Sequence, residues 1–254
     1  MSGASDRESA IRVLHVDDDP AQLRVTAAFL ERNGMDVRSH TDVETALETL
    51  EEVDCVVSDY EMPERDGLDF LRAVRERDPD LPFILFTGKG SEEIASDAIT
   101  AGVTDYLQKS RDGSQFELLV NRIRNVVEQA RASEELARRE QELALLFEQS
   151  PVGVIEWNLA FEVVRWNHAA AELFGYTAEE AKGRHASFIV PEEAAPHVDA
   201  LWEDLVENVG GERSHNENVR KDGSLVTCEW HNRAIVDETG EVVSVLSMVY
   251  PAEE

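Results

Sequence analysis

Along its first half the chain alternates short apolar runs with stretches of helical spacing. "IRVLHV" (11–16) is a β-rich run, and from Ala21 to Arg32 the residues Leu23, Ala27 and Leu30 recur at helical intervals. "MDVRSH", "CVVS", "PFILF" and "TDYLQ" are four further strand candidates. Between them fall a helix through Ala46 and Leu50, "LDFLRAVRER" with Leu68, Leu71 and Val74 inward, and "SEEIASDAITA" with a serine cap and acids in its first turn. Five strand–helix units in this order predict a parallel sheet covered on both faces.

Sites in such sheets lie beyond the carboxyl ends of the strands. Strand one ends at Asp17, Asp18 and Asp19, strand three at Asp59, strand four at Thr87, and strand five runs to Lys109. A buried strand that finishes on an ionised side chain is costly unless the charge is used. Three neighbouring carboxylates repel and call for a cation, and hard oxygen donors suit Mg²⁺. Asp59 is then placed to act as a nucleophile, with Lys109 and Thr87 holding a transferred anionic group. Against this stands a plain alternative, in which the aspartates cap a helix, as Asp19 is expected to do, and Lys109 and Thr87 are surface and turn residues.

"VLHVDDDP", "VVSDYEMPERDG", "ILFTGKG" and "AGVTDYLQKS" together resemble a two-component receiver domain over residues 10–128. The resemblance implies a flavodoxin-like α/β fold with strand order 2-1-3-4-5. It makes Asp59 the phosphoacceptor, fed by a histidine kinase. Asp17 and Asp18 become the acidic pair for Mg²⁺, with Asp18 favoured as direct ligand and the Glu61 backbone carbonyl completing the protein's share. Thr87 and Lys109 would bind the phosphoryl group, and Tyr106 takes the aromatic switch position. Met62, Pro63 and Gly67 would shape the adjoining loop. Two positions depart from the pattern. Ser110 follows Lys109 where the family commonly has a cis proline, so a trans bond or a strained one is expected. Glu61 and Lys89 flank the path of the hydrolytic water, and their pairing would set the lifetime of the phosphorylated form.

From Phe116 to Phe147 neither proline nor glycine interrupts the chain. Phe116, Leu119, Ile123, Val126, Ala130, Ala137, Ala144 and Phe147 follow a heptad-like spacing. This predicts a last receiver helix that continues as a charged helical linker (129–149), either solvated or paired with a second copy.

After "QSPVG" the pattern changes. "GVIEWN" and "EVVRWN" predict a hairpin, and "HAAAELFGYTAEEAKGR" short helices broken at Gly175. "PEEAAPHVDALWEDLVENV" reads as a longer helix, and "SHNENVR", "LVTCEWHNRAIV" and "VVSVLSMV" as three antiparallel strands. The α+β domain so described (150–254) resembles a PAS domain. Ala186 stands where the flavin subclass has its reactive cysteine, so cysteinyl-flavin chemistry is not expected. His185 and His197 are the haem-ligand candidates, although a helix histidine is more often a surface residue. The default expectation is an empty or small apolar pocket between helix and sheet, with an unknown ligand or none. Trp157, Trp166, Trp202 and Trp230 are read as core or interface and Cys228 as a packed strand residue.

The chain has 254 residues, 53 acidic and 24 basic, with net charge −29. Such a surface repels nucleic-acid phosphate and anionic lipid, so neither is expected as a partner. Acidity spread along the whole chain suggests a high-salt cytoplasm, as in a halophilic archaeon. Two cysteines make no disulfide framework, no apolar run is long enough to span a membrane, and the first nine residues are expected to be disordered. The resulting reading is a cytoplasmic phosphorelay response regulator that reacts only on itself. Its PAS domain would serve as output toward an unknown downstream protein, with a homodimer through the linker and PAS as a possibility. The rival is a PAS small-molecule or redox sensor whose ligand state modulates the receiver.

Overall fold

The computed structural model describes residues 10–88, 92–109, 114–207 and 211–252. The expected N-terminal extension, Lys89, the Ser91 cap and Ser110 lie outside the described residues. The chain divides into two compact units, Met1–Ala137 and Arg138–Glu254.

The first unit is a five-stranded parallel sheet of order β2-β1-β3-β4-β5, the flavodoxin-like topology expected. Its strands are β1 (Arg12–Val16), β2 (Asp36–His40), β3 (Cys55–Ser58), β4 (Phe83–Thr87) and β5 (Asp105–Gln108). Every residue of β3 and β4 is buried, as strands covered on both faces must be. Successive residues serve opposite faces. Leu14, Val16, Val56 and Leu85 face a core completed by α2 (Val43–Leu47), α3 (Gly67–Arg77) and α4 (Glu92–Thr100). Val13, Val57, Ile84 and Phe86 face α1 (Pro20–Arg32) and the first part of α5 (Ser114–Glu148). Aspartates open three of these helices. Asp19 accepts from the Ala21 N–H, Asp42 from that of Thr45 and Asp66 from that of Asp69. The helix expected to run through Leu50 stops at Leu47, and a 3₁₀ turn, Leu50–Glu52, follows it.

α5 is unbroken, as expected. Leu119, Val120, Ile123 and Val127 bury one side of its first half in the receiver core. At its first exposed turn Arg131 reaches Asp54 (3.1 Å), which also holds Arg12 (2.8 Å). From Arg131 to Leu146 every side chain is exposed. The large apolar side chains left uncovered there are Leu136, Leu143, Leu145 and Leu146, not members of the alanine-stepped seam.

The second unit is an antiparallel sheet of order β7-β6-β10-β9-β8. Its strands are β6 (Gly153–Trp157), β7 (Val163–Trp166), β8 (Gly211–Val219), β9 (Leu225–Val236) and β10 (Val242–Pro251). The helices α6 (His168–Phe174), α7 (Ala178–Ala181) and α8 (Ala195–Glu207) follow β7. Gly175 ends α6 with φ of +80°, a left-handed conformation that favours glycine. Asn167 is fully buried and joins four backbone groups. Its Oδ1 accepts from the N–H groups of Val154 (2.8 Å) and Ala170 (2.9 Å), and its Nδ2 donates to the carbonyls of Val152 (2.9 Å) and Phe147 (3.1 Å). One side chain thereby fastens the end of α5 to β6 and α6.

Candidate functional site

The carboxyl ends of β1, β3 and β5 bring Asp17, Asp59 and Lys109 together. The Lys109 ammonium donates to Asp17 Oδ2 at 2.7 Å and to Asp59 Oδ1 at 2.6 Å. Both carboxylates are almost out of solvent, Asp17 at 2% and Asp59 at 8% exposure. Their other oxygens take backbone N–H groups: Asp17 Oδ1 accepts from Asp19 (2.9 Å) and Asp59 Oδ2 from Glu61 (2.8 Å). Each carboxylate is therefore oriented by one ammonium and one amide. Thr87 is buried at the end of β4, and its carbonyl accepts from the Lys109 N–H at 2.8 Å. Asp18 is exposed at the same rim. Tyr106 is half-buried against the α2–α4 side of the core.

The electrostatics follow from burial. Desolvation raises the Asp59 carboxyl above the ordinary carboxylate range, with Asp17 adding to the rise, although the Lys109 hydrogen bond opposes it. Burial by itself would lower the Lys109 ammonium, but its hydrogen bonds to Asp17 and Asp59 outweigh that and hold its pKa above the usual value. Lys109 also lies 5.4 Å from the centre of the Phe86 ring. One ammonium balances one of the two buried carboxylates, and Asp18 adds a third negative charge.

Gly67, the first residue of α3, is held against this site. Its N–H donates to the Tyr60 carbonyl at 2.9 Å, and a Cβ placed on it would sit 2.3 Å from the Asp59 carbonyl oxygen. The loop through Met62 and Pro63 returns to the strand end at this close approach. His15 is a feature the sequence did not signal. It is fully buried on β1, and neither ring nitrogen has a hydrogen-bond partner among the described residues.

Hard oxygen donors are present for a divalent ion, which is the fit that matters chemically. Among the described residues no three His, Cys, Asp or Glu side chains are grouped to hold a metal, and Lys109 bridges Asp17 and Asp59.

The second unit has a partly open pocket of about 50 Å³ between α8 and the sheet. Trp157, Trp230, Phe161 and Trp202 supply aromatic walls. The inner sheet face adds Ser214, Asn216 and Asn218 from β8, Asn232 from β9 and Ser247 from β10. The pocket is thus more polar than expected, and three of the four tryptophans line it as well as building core. Those side chains bond one another: Trp157 Nε1 to Ser247 (3.0 Å), Ser247 Oγ to Asn232 Oδ1 (2.6 Å), Trp230 Nε1 to Asn218 Oδ1 (3.0 Å) and Asn218 Nδ2 to the Ile189 carbonyl (2.9 Å). The alternation Ser214, Asn216, Asn218 is the period-2 signal from which this face could have been read. The helix face toward the cavity carries Val198, Leu201, Trp202 and Leu205. His197 is exposed and not among the lining residues, and His185 caps a 3₁₀ turn by accepting from the Ser187 N–H, so the structure brings neither haem candidate to the cavity. Cys228 is fully buried, as expected of a packed strand residue.

The model of the response regulator receiver domain matches residues 13–146, more than half of the chain, which therefore belongs to that family. The PAS fold matches residues 141–251, so a PAS domain follows the receiver. The transcriptional regulatory protein TrcR of Mycobacterium tuberculosis is 36% identical over 121 residues, 47% of this chain and 46% of TrcR. A receiver domain protein (CheY-like) from Methanospirillum hungatei JF-1 is similar with a TM-score of 0.46 and 25% identity, over 49% of this chain and 99% of that one. The PAS domain of an HTR-like protein from Haloarcula marismortui is similar with a TM-score of 0.43 and 22% identity, over 48% of this chain and 98% of that one. Matches to the curated relatives span from 15% to 62% of those proteins' lengths. No helix among the described residues is long and apolar enough to cross a membrane.

Proposed function

We propose that this chain is a phosphorelay response regulator in which Asp59 accepts a phosphoryl group from a separate histidine kinase. The supporting observation is the Asp17–Lys109–Asp59 arrangement: a buried, oriented carboxylate beside a cation at the strand rim. An Asp59 carboxylate oxygen attacks phosphorus, the bond from phosphorus to the kinase's histidine nitrogen breaks, and the electron pair returns to that imidazole. Lys109 and Thr87 bind the transferred oxygens. Mg²⁺, which receiver domains generally use, would be held by Asp17, Asp18, Asp59 and the Glu61 carbonyl, and supplies neutralising charge for the incoming phosphate. Lys109 exchanges its bond to Asp59 for one to the phosphoryl group, and Thr87 and Tyr106 then shift together. The change passes to α5 and the PAS domain, the output toward a downstream protein or a second copy. Glu61 and Lys89 set the lifetime, so Glu61→Ala and Lys89→Ala should each change the decay rate. The acidic composition supports a high-salt cytoplasm as the setting, and loss of folding in dilute buffer would be its sign.

The test is intact-mass measurement before and after a small phosphodonor with Mg²⁺. One phosphoryl group should appear on the chain and none on Asp59→Asn; labelling of the variant would sink the assignment. A second reading, a PAS sensor that modulates the receiver, is favoured by the polar-lined cavity.

A further inference from the structure

We propose that the cavity of the PAS domain binds a small, flat, uncharged molecule with a hydrogen-bonding edge, and rejects charged analogues of the same shape. The inference deepens the sensor reading, but binding itself does not depend on Asp59.

The argument starts from charge. In a chain with 53 acidic and 24 basic residues, no ionisable side chain among the described residues lines this cavity. Its polar atoms belong to amides, hydroxyls and indoles, none of which can neutralise a buried charge. A charged ligand would be desolvated without a counterion, a heavy penalty. An uncharged ligand can instead stack between the tryptophan walls and meet polar atoms that the protein leaves unused. Asn232 gives its Oδ1 to Ser247, and its Nδ2 makes no hydrogen bond among the described residues. Asn216 gives its Nδ2 to Asn218 at 3.2 Å, and its Oδ1 accepts none among them. One donor and one acceptor are therefore available on the lining.

Phe161 has a left-handed backbone (φ 59°) in the turn between β6 and β7, and its ring stacks on Trp202 of α8 at 3.8 Å. The pocket, about 50 Å³ and partly open, is narrow enough that a flat molecule would lie against its aromatic walls. Trp157, Trp202 and Trp230 all line the pocket, which gives binding a fluorescence signal.

The experiment uses the full chain and three near-isosteric probes: neutral benzamide, anionic benzoate and cationic benzamidinium. Calorimetry and tryptophan fluorescence should report saturable benzamide binding, with both ions at least about a hundredfold weaker. Similar affinity for all three, or no saturable benzamide binding up to about 10 mM, the weak end for so small a ligand, would overturn the proposal. Asn232→Asp should turn the preference toward benzamidinium by at least about tenfold. Should that variant fail to fold, Asn216→Asp carries the same expectation. An unchanged order of affinities in a folded variant would equally overturn it.

Discussion

On the receiver's strand rim one ammonium holds two carboxylates, whereas on the inner face of the PAS sheet one asparagine and one serine hold two indoles. Both arrangements remove polar atoms from water. The first is left short of positive charge, and the second is neutral and nearly satisfied. A site short of positive charge draws in a cation or a reacting group, and that suits chemistry. A neutral site costs little when empty and discriminates by shape and hydrogen bonding, and that suits recognition.

The contrast can be tested one residue at a time. The largest effect should come from Asp59→Asn, with complete loss of phosphoryl uptake and unchanged benzamide affinity in the other unit; mass measurement and calorimetry report the two. Next, Lys109→Met leaves Asp17 and Asp59 facing each other without their shared cation. We expect a loss of about 3 kcal/mol in urea unfolding at neutral pH. Burial already holds the Asp59 carboxyl above the ordinary range, and without the opposing lysine it rises further. The folded form then binds more protons, so the deficit should shrink as pH falls. A pH-independent deficit would assign the cost to lost packing instead.

His15 gives a somewhat smaller effect. Burial, partly offset by Asp17, holds its pKa down to about 4 from 6.5. The unfolded chain takes up a proton first as pH drops, so stability present above 6.5 is lost progressively toward 4. The imidazole should cost roughly 2 kcal/mol at pH 5, and His15→Leu should abolish that slope in the receiver's unfolding. The smallest effect is expected in the PAS unit. Asn218→Ala strands the Trp230 indole N–H and should cost about 1–2 kcal/mol in thermal unfolding, with phosphoryl uptake unchanged.

Much of the receiver was legible because its signals are local. Apolar runs give the strands, Asp19 announces a helix start, and the acidic and basic strand ends mark the rim. What could not be read is three-dimensional pairing: that Lys109 would bond both aspartates, or that His15 would lie in the core with no hydrogen-bond partner among the described residues. In the PAS domain the elements were legible from alternation and from Gly175. The polar cavity was not anticipated, because Asn216, Asn218 and Asn232 resemble surface residues until the strands are paired and their common face appears. The linker seam was drawn through alanines by spacing alone, whereas exposure singles out Leu136, Leu143, Leu145 and Leu146.

The close approach of Gly67 to Asp59 has a consequence for how this sequence can vary. Alanine would bring a carbon to 2.3 Å from a carbonyl oxygen that belongs to the strand end itself and has little room to retreat. A library randomised at that codon and selected for phosphate acceptance should return glycine almost alone. The codon for the exposed neighbour Glu61, whose N–H rather than its side chain holds Asp59, should vary more widely, which marks residue 67 as the point where the loop loses its freedom to evolve.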